Sequence, residues 1–167
     1  MKWRGAESVG APLLERDEVV LRGQDVRTRT AYSAPLTVEV EAQLEKREGD
    51  AGFFACMFVP TGQSTNAEPK ESMAVMLQYS HAGDSVVGML RSAKLQHDET
   101  IFSQRFAHPA GQPYRLSIGV TKAGLHIKLG GQLYEVPGAK VPYNKFHIVI
   151  SAAPPADRWH VRDFVVR

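Results

Sequence analysis

Hydrophobic and polar residues alternate along most of the chain with a period of two residues, the period of a β-strand. The clearest example is residues 36–44, in which every second residue is apolar and the residues between them are polar. This pattern predicts a strand with one face in a core and the other toward water. Residues 52–59 are apolar on both faces and are followed by Pro60, which predicts a strand at the centre of a sheet.

Further strands are separated by turns rich in Gly, Pro, Asn and Asp. Gly23 and the loop at residues 81–84 each predict a hairpin turn. The strands that they join are 18–21 and 26–31, and 73–80 and 85–91; the remaining predicted strands are 114–120, 125–129, 133–136, 145–151 and 159–167.

About a dozen strands without a clear helix predict an all-β fold in which two antiparallel sheets pack face to face. A closed barrel of similar size is the competing architecture. Residues 95–106 have a weak pattern, compatible with a strand and a short helical turn, and residues 61–71 and 136–144 are predicted loops. We expect residues 1–14 to form an N-terminal extension or edge segment and residues 15–167 to form a single sandwich domain.

The overall charge of the chain is close to balance. Lys and Arg total 20 against 18 Asp and Glu, which leaves a formal charge of +2 over 167 residues. Such a chain has no broad basic field for nucleic acid or an anionic membrane. The 43% of hydrophobic residues is enough for one sizeable core. Neutral sugars or a protein are therefore the partners that the composition favours.

Cys56 is the only cysteine, which excludes an internal disulfide framework and a multi-cysteine zinc site. It lies inside an apolar strand, so we predict a buried and unreactive thiol. The longest nearly apolar stretch, residues 51–60, is far shorter than the roughly 20 residues of a spanning helix. No apolar run of secretory type follows residues 1–5. With neither signal, the sequence leaves the compartment open.

Several short motifs follow one another along the chain. They are Leu21-Arg22-Gly23, Val26-Arg27-Thr28, the 113–118 strand, the Gly124 to Gln132 turn-strand-turn segment, and the final Trp159 to Val166 strand. Their order resembles the concanavalin A-like lectin and glucanase superfamily, and within it the sequence is most similar to laminin G-like jelly rolls and bacterial 3-keto-disaccharide hydrolase domains. The resemblance covers roughly residues 15–167 and implies a two-sheet jelly-roll sandwich, with the last strand beside strands from the start of the chain.

Glycanases of this superfamily carry two catalytic acids on one strand, and the comparable stretch here is residues 39–45. The period of two places Glu39, Glu41 and Gln43 on one face. However, Gln43 stands where the second Glu is expected, and an amide cannot act as a nucleophile or an acid. This favours a solvated strand face over a catalytic pair. Glu39, Glu41 and His97 are the remaining catalytic candidates.

Sugar sites combine aromatic faces with carboxylates, amides and guanidinium groups. Tyr32 and Tyr79 are candidate platforms, with a core-capping role as the alternative, and Phe53 and Phe54 are predicted to point to opposite faces of their strand. We expect Gln78 and Arg91 to reach the face that holds Glu39 and Glu41. The candidate ligand-binding set is Glu39, Glu41, Gln78, Tyr79, Arg91 and Arg115.

The six histidines show no metal-binding spacing, so no metal site is predicted from them. His126, His147 and His160 alternate with apolar residues and would join a polar cluster with Arg115 or Arg162 if their strands were neighbours. Many superfamily members bind a structural calcium, for which Asp25 and Asp163 are the acidic candidates here. No other cofactor is expected.

Three functions follow as hypotheses. The first is a non-catalytic carbohydrate-binding or interaction module that uses the open face of one sheet. The second is a glycoside hydrolase of the 3-keto-disaccharide type. The third is a structural or oligomerisation domain that binds another protein, which an apolar open face formed by Phe54, Cys56 and Phe58, or by Phe53 and Met57, would favour. The oligomeric state stays open.

Overall fold

The computed structural model describes the backbone at residues 4–5 and 13–15 and complete residues at 18–63, 69–94 and 97–167. Within these ranges there are fourteen strands and no helix. The described residues therefore contain no helix that could cross a membrane. In chain order the strands are β1 (Arg4–Gly5), β2 (Leu13–Glu15), β3 (Glu18–Leu21), β4 (Asp25–Arg27), β5 (Leu36–Leu44), β6 (Gly52–Pro60), β7 (Ser72–Tyr79), β8 (Ser85–Arg91), β9 (Glu99–Arg105), β10 (Pro113–Val120), β11 (Gly124–Leu129), β12 (Gln132–Pro137), β13 (Phe146–Ala153) and β14 (Trp159–Val166).

The strands form two seven-stranded antiparallel sheets. The first sheet has the order β1-β4-β13-β6-β7-β8-β9, and the second has the order β12-β11-β10-β5-β14-β3-β2. Each sheet has two edge strands, so the fold is an open sandwich, as predicted, and not the closed barrel. The final strand, β14, lies between β3 and β5 from the start of the chain. That neighbourhood is the one the resemblance implied.

The core lies between the two sheets and contains the apolar residues that the alternation predicted. In β5, buried and half-buried residues alternate from Leu36 to Leu44 without a break. From the first sheet, the Phe54 ring packs 5.5 Å from that of Trp159 in the second sheet. Cys56, beside Phe54 on β6, is fully buried, and this burial raises the pKa of its thiol to about 12. The predicted burial of this cysteine in the core is therefore confirmed.

The hairpin predicted at residues 81–84 is confirmed, because β7 and β8 pair directly. The hairpin predicted at Gly23 is wrong, because β3 belongs to the second sheet and β4 to the first. Gly23 has a φ of 69° and lies so close to Pro155 that a Cβ there would be 2.7 Å from its ring. The glycine allows the chain to cross between the sheets at a point of close approach.

Two segments with a weak sequence pattern contain edge strands of the sheets. Residues 95–106 contain β9, an edge strand of the first sheet, although residues 95–96 lie outside the described part of the chain. The segment 1–14 is also largely outside it. Of that segment, residues 4–5 form edge strand β1, and residues 13–14 belong to edge strand β2.

Candidate binding groove

A groove of about 480 Å³ lies where the segment after β4 faces the end of β14, so that its two walls come from different sheets. Its lining combines two aromatic rings, two threonine hydroxyls, one guanidinium group and apolar side chains. The lining residues are Thr28, Arg29, Thr30, Tyr32, Phe164, Val165 and Val166.

The first wall is a short excursion, residues 29–31, that is attached to β13 at both ends. Before it, Thr28 N donates to Ile148 O at 2.9 Å and Ile148 N donates to Thr28 Oγ1 at 3.1 Å. After it, Tyr32 exchanges two backbone hydrogen bonds of 2.8 and 3.0 Å with Phe146. Because a central strand holds both ends, the wall is fixed before any ligand arrives.

The second wall, residues 164–166, begins within a β-bulge of β14, which lies between Arg162 and Val165. At the bulge Asp163 has a φ of 49°, a left-handed conformation that Asp tolerates better than most residues. Just beyond the wall, Arg167 exchanges two backbone hydrogen bonds of 2.8 and 2.9 Å with Thr37. The bulge changes the direction of the strand, and the Thr37 bonds then hold its end in place.

Some polar groups in the groove already have a hydrogen-bond partner within the protein, and others do not. Thr28 Oγ1 donates to Thr30 O at 3.0 Å and accepts from Ile148 N, so it is a structural group. In the described part of the chain, no hydrogen bond or ion pair occupies the Arg29 guanidinium, the Thr30 hydroxyl or the Tyr32 hydroxyl. These three groups, beside a half-buried Tyr32 ring, can hydrogen-bond a polar ligand that stacks on an apolar surface.

The predicted acidic face exists on the outer side of the second sheet, and its carboxylates are paired with arginines. Glu39 lies 3.3 Å from Arg115 and 3.6 Å from Arg167, and Glu41 lies 3.8 Å from Arg162. Opposite charges on neighbouring strands thus form a network of ion pairs. This network is the solvated strand face that the presence of Gln43 indicated.

The remaining predicted ligand residues do not join that face. Gln78 and Arg91 lie on β7 and β8 of the first sheet, so the expectation that they share a face with Glu39 and Glu41 is wrong. Arg91 forms a two-pronged ion pair with Asp98, with distances of 2.8 and 2.9 Å. The six predicted ligand residues therefore do not converge on one site.

Of the aromatic candidates, Tyr79 is buried and Tyr32 lines the groove. Phe54 is in the core, whereas Phe53 is half-buried on the outer face of the first sheet. This confirms that their side chains point in opposite directions. Tyr79 has the core role, whereas Tyr32 is half-buried, packs against the core and also lines the groove.

The histidines predicted to cluster are divided between the sheets. His160, in the second sheet, binds Glu18 and lies 3.0 Å from Glu45, and Arg162 shares Glu18 with it. His147, in the first sheet, donates from Nδ1 to Thr28 O at 2.9 Å, and burial lowers its pKa. The predicted cluster therefore exists around His160 and Arg162 only.

The other catalytic and metal candidates are also separated. His97 is exposed beside β9 in the first sheet, away from the strand of Glu39 and Glu41. Asp25 and Asp163 lie in different sheets. Among the residues that the structure describes, no group of three or more His, Cys, Asp or Glu side chains could hold a metal ion.

A second surface lies on the outer face of the first sheet. Half-buried methionines line it at adjacent positions: Met57 and Met89 flank Ala74 across three strands, and Met76 lies beside them. Phe53 extends this apolar face. Its composition differs from the charged outer face of the second sheet.

Sequence reasoning missed Arg29, Thr30 and Phe164. The alternation predicts residues 26–31 as one strand and gives no role to the Arg-Thr repeat within it. The available signal is that repeat, Arg27 to Thr30, which places two cationic side chains close together in sequence. Phe164 lies within the bulge and lines the groove, and the bulge has no periodic signal in the sequence.

No family model matches the sequence, and no curated protein is similar to it. Solved structures of similar shape do exist. The chain resembles the carbohydrate binding module CBM66 from Bacillus subtilis, with 12% identity, a TM-score of 0.72 and coverage of 99% of this chain and 94% of the other. The carbohydrate recognition domain of Emp46p is 16% identical, with a TM-score of 0.77 and coverage of 98% of this chain and 87% of the other. A protein of unknown function with a galectin-like fold from Bacillus subtilis is 15% identical, with a TM-score of 0.69 and coverage of 99% of this chain and 88% of the other.

These likenesses extend over nearly the whole chain at low identity, so they define the fold. The protein has a concanavalin A-like lectin fold: an all-β sandwich of two antiparallel sheets. A shared fold at such identities does not carry a binding site from one protein to another.

Proposed function

We propose that this protein is a non-catalytic carbohydrate-binding module and that the groove beside Tyr32 holds the sugar. The observation that carries the proposal is the combination of an aromatic ring with unoccupied polar groups between two fixed walls. A sugar has an apolar ring face and hydroxyls around its edge, and both can be satisfied here at once. The volume of about 480 Å³ lies in the usual range for small-molecule sites.

The fold supports this proposal without assigning the site. Two of the proteins of similar shape are named as a carbohydrate binding module and a carbohydrate recognition domain. The fold is thus one on which sugar recognition occurs. For this chain, the groove supplies the chemistry that the likeness alone does not.

A sugar-binding role without catalysis agrees with the state of the acidic strand. Glycosidases need two carboxyl groups free to exchange protons or attack the sugar. Here Glu39 and Glu41 face arginines, and the Gln43 amide donates to Gly111 O at 2.9 Å. The hydrolase of the 3-keto-disaccharide type remains the alternative. Turnover of a 3-keto-glucoside that is abolished by both Glu39→Gln and Glu41→Gln would establish it.

A second candidate is binding of another protein through the methionine-rich outer face of the first sheet. Flexible methionines suit adaptable protein contacts, and Phe53 with Met57 is one of the residue sets that the sequence associated with this role. Light scattering across a concentration series tests self-association. A strict monomer would remove a second copy of the chain as the partner.

The carbohydrate proposal is tested by a glycan array, followed by calorimetry with the best glycan. Tyr32→Leu keeps an apolar side chain but removes the planar ring, and we expect at least about tenfold weaker affinity. Tyr134→Leu, which makes the same change at a half-buried tyrosine on edge strand β12, is the matched control and should bind as the wild type does. Absence of binding to both neutral and acidic glycans would overturn the proposal.

A further inference from the structure

We infer that the groove selects glycans that carry an acidic group, a carboxylate or a sulfate, and that Arg29 recognises this group. The inference rests on the proposed function and adds the class of sugar. Among the groove-lining residues that the structure describes, Arg29 is the one with a charge, and it is exposed. No acidic side chain of the described residues lines the groove.

Arg29 differs from most arginines of this protein in having no carboxylate partner. In the described residues, ion pairs with Asp or Glu are formed by Arg47, Arg91, Arg115, Arg158, Arg162 and Arg167. Arg27, two residues before Arg29, also has none. Arg29, unlike Arg27, is among the residues that line the groove.

Among the described residues, the opposite wall adds no net negative charge that would cancel the charge of Arg29. Arg167 follows directly on this wall, and its partner Glu39 lies between it and Arg115, at 3.6 and 3.3 Å. The single carboxylate of Glu39 therefore forms ion pairs with two guanidinium groups. Asp163, the acid nearest in sequence to Phe164, is exposed and does not line the groove.

The chemistry of guanidinium explains the selectivity. Arg remains charged at any physiological pH and presents paired N–H donors, which match two oxygens of a carboxylate or a sulfate. A neutral sugar hydroxyl can accept only a weaker, single hydrogen bond from it. The near-balanced charge of the whole chain had favoured neutral ligands; the distribution of partners around the groove favours acidic ones.

The test compares three kinds of glycan on one array: neutral, carboxylated and sulfated. We expect the bound glycans to carry an acid, and the two acidic groups on the array separate carboxylate from sulfate as its source. If the bound glycans are carboxylated, calorimetry then compares the affinity for an oligogalacturonate with that for its methyl-esterified form. If they are sulfated, it compares the affinity for a galactan oligosaccharide with and without sulfate. The members of each pair differ in the charged group. The acidic member of the pair should bind at least about tenfold more tightly, and less tightly as salt increases.

Arg29→Gln removes the proposed recognition group, whereas Arg105→Gln removes an exposed arginine from edge strand β9 and changes the net charge equally. We expect Arg29→Gln to abolish the preference for the acidic member and Arg105→Gln to retain it. Equal losses in both variants, or an acidic preference that survives Arg29→Gln, would overturn the inference.

The outcome also separates this inference from the proposed function. Binding of neutral glycans that is weakened by Tyr32→Leu would uphold the function and overturn the acidic selectivity. Absence of binding to all three kinds of glycan would overturn both. Equal thermal midpoints of wild type and Arg29→Gln would show that the exposed side chain is not needed for folding.

Discussion

The hydroxyl of Tyr79 donates a 2.5 Å hydrogen bond to Oδ2 of Asp157, which joins β7 of the first sheet to the loop that enters β14 of the second. Asp157 is fully buried, and its Oδ1 accepts a further hydrogen bond from Glu48 N at 3.1 Å. Burial, together with the bond to Asp157, raises the pKa of Tyr79. A tyrosine that the sequence offered as a sugar platform is thus a link between the two sheets.

Tyr79→Phe should lower the free energy of unfolding by about 1–3 kcal/mol, because it removes one of the hydrogen bonds of a buried carboxylate. Urea denaturation followed by tryptophan fluorescence measures the change. Tyr134→Phe, at an edge strand, is the control and should remain within about 0.5 kcal/mol of the wild type. Equal midpoints for Tyr79→Phe and wild type would show that Asp157 does not depend on the tyrosine.

Gly52→Ala should destabilise the same link by steric conflict. A Cβ at this position would lie 2.6 Å from Asp157 Oδ2 and 2.7 Å from the Tyr79 hydroxyl. We expect a loss of about 1–3 kcal/mol in thermal or urea unfolding. At Gly49 the nearest atom, Ala51 O, would be 4.0 Å from a Cβ, so Gly49→Ala is the matched control. Comparable losses in the two variants would contradict the steric explanation.

The contribution of His160 to stability should depend on pH. Burial opposes its charge, but hydrogen bonds to Glu18 and Glu45 outweigh burial and raise its pKa above the ordinary value of 6.5. A histidine whose pKa is raised on folding stabilises the fold fully below its unfolded pKa, and this stabilisation is lost as the pH rises through the folded pKa. Burial also opposes the charge of Glu18, yet bonds to His160 and Arg162 lower its pKa below 4.5.

We therefore expect His160→Gln to lose about 1 kcal/mol relative to wild type between about pH 5 and 6.5, and less toward pH 9. Chemical denaturation at several pH values gives this difference directly. His81→Gln, in an exposed loop where the imidazole lies 3.5 Å from an equally exposed Asp50, serves as the control. A difference between wild type and His160→Gln that grows with increasing pH would have the wrong sign for this network.

Cys56 should not react with a thiol reagent while the protein is folded. Its side chain is fully buried, and its pKa of about 12 leaves the thiol protonated at pH 8. Labelling with a chromogenic disulfide should therefore proceed only as fast as the protein opens, and at once in denaturant. Prompt stoichiometric labelling without denaturant would contradict the buried position.

The elements of this fold could largely be predicted from local pattern. The alternation over residues 36–44 specified which side chains of β5 enter the core, and the loop at 81–84 specified a hairpin. The turn at Gly23 also predicts a hairpin, yet the strands on either side of it belong to different sheets. A glycine with positive φ permits either path, and only the pairing of β4 with β13, far along the chain, distinguishes them.

The candidate groove was mostly beyond prediction. Tyr32 was singled out as a platform, but Arg29 and Phe164 come together from segments about 130 residues apart in sequence. Their approach depends on two backbone attachments to β13 and on a bulge in β14. None of these leaves a periodic signal in the sequence.

Local sequence pattern is enough to specify which face of each strand is apolar, because successive side chains of a strand point to opposite sides. It also specifies that Glu39 and Glu41 share a face and that Cys56 belongs to the core. The pattern does not specify which strands become neighbours, since backbone hydrogen bonds pair any two strands equally well, and that choice depends on packing across the whole fold. That choice placed Gln78 and Glu41 on different sheets and left Arg29 beside a groove without a carboxylate partner.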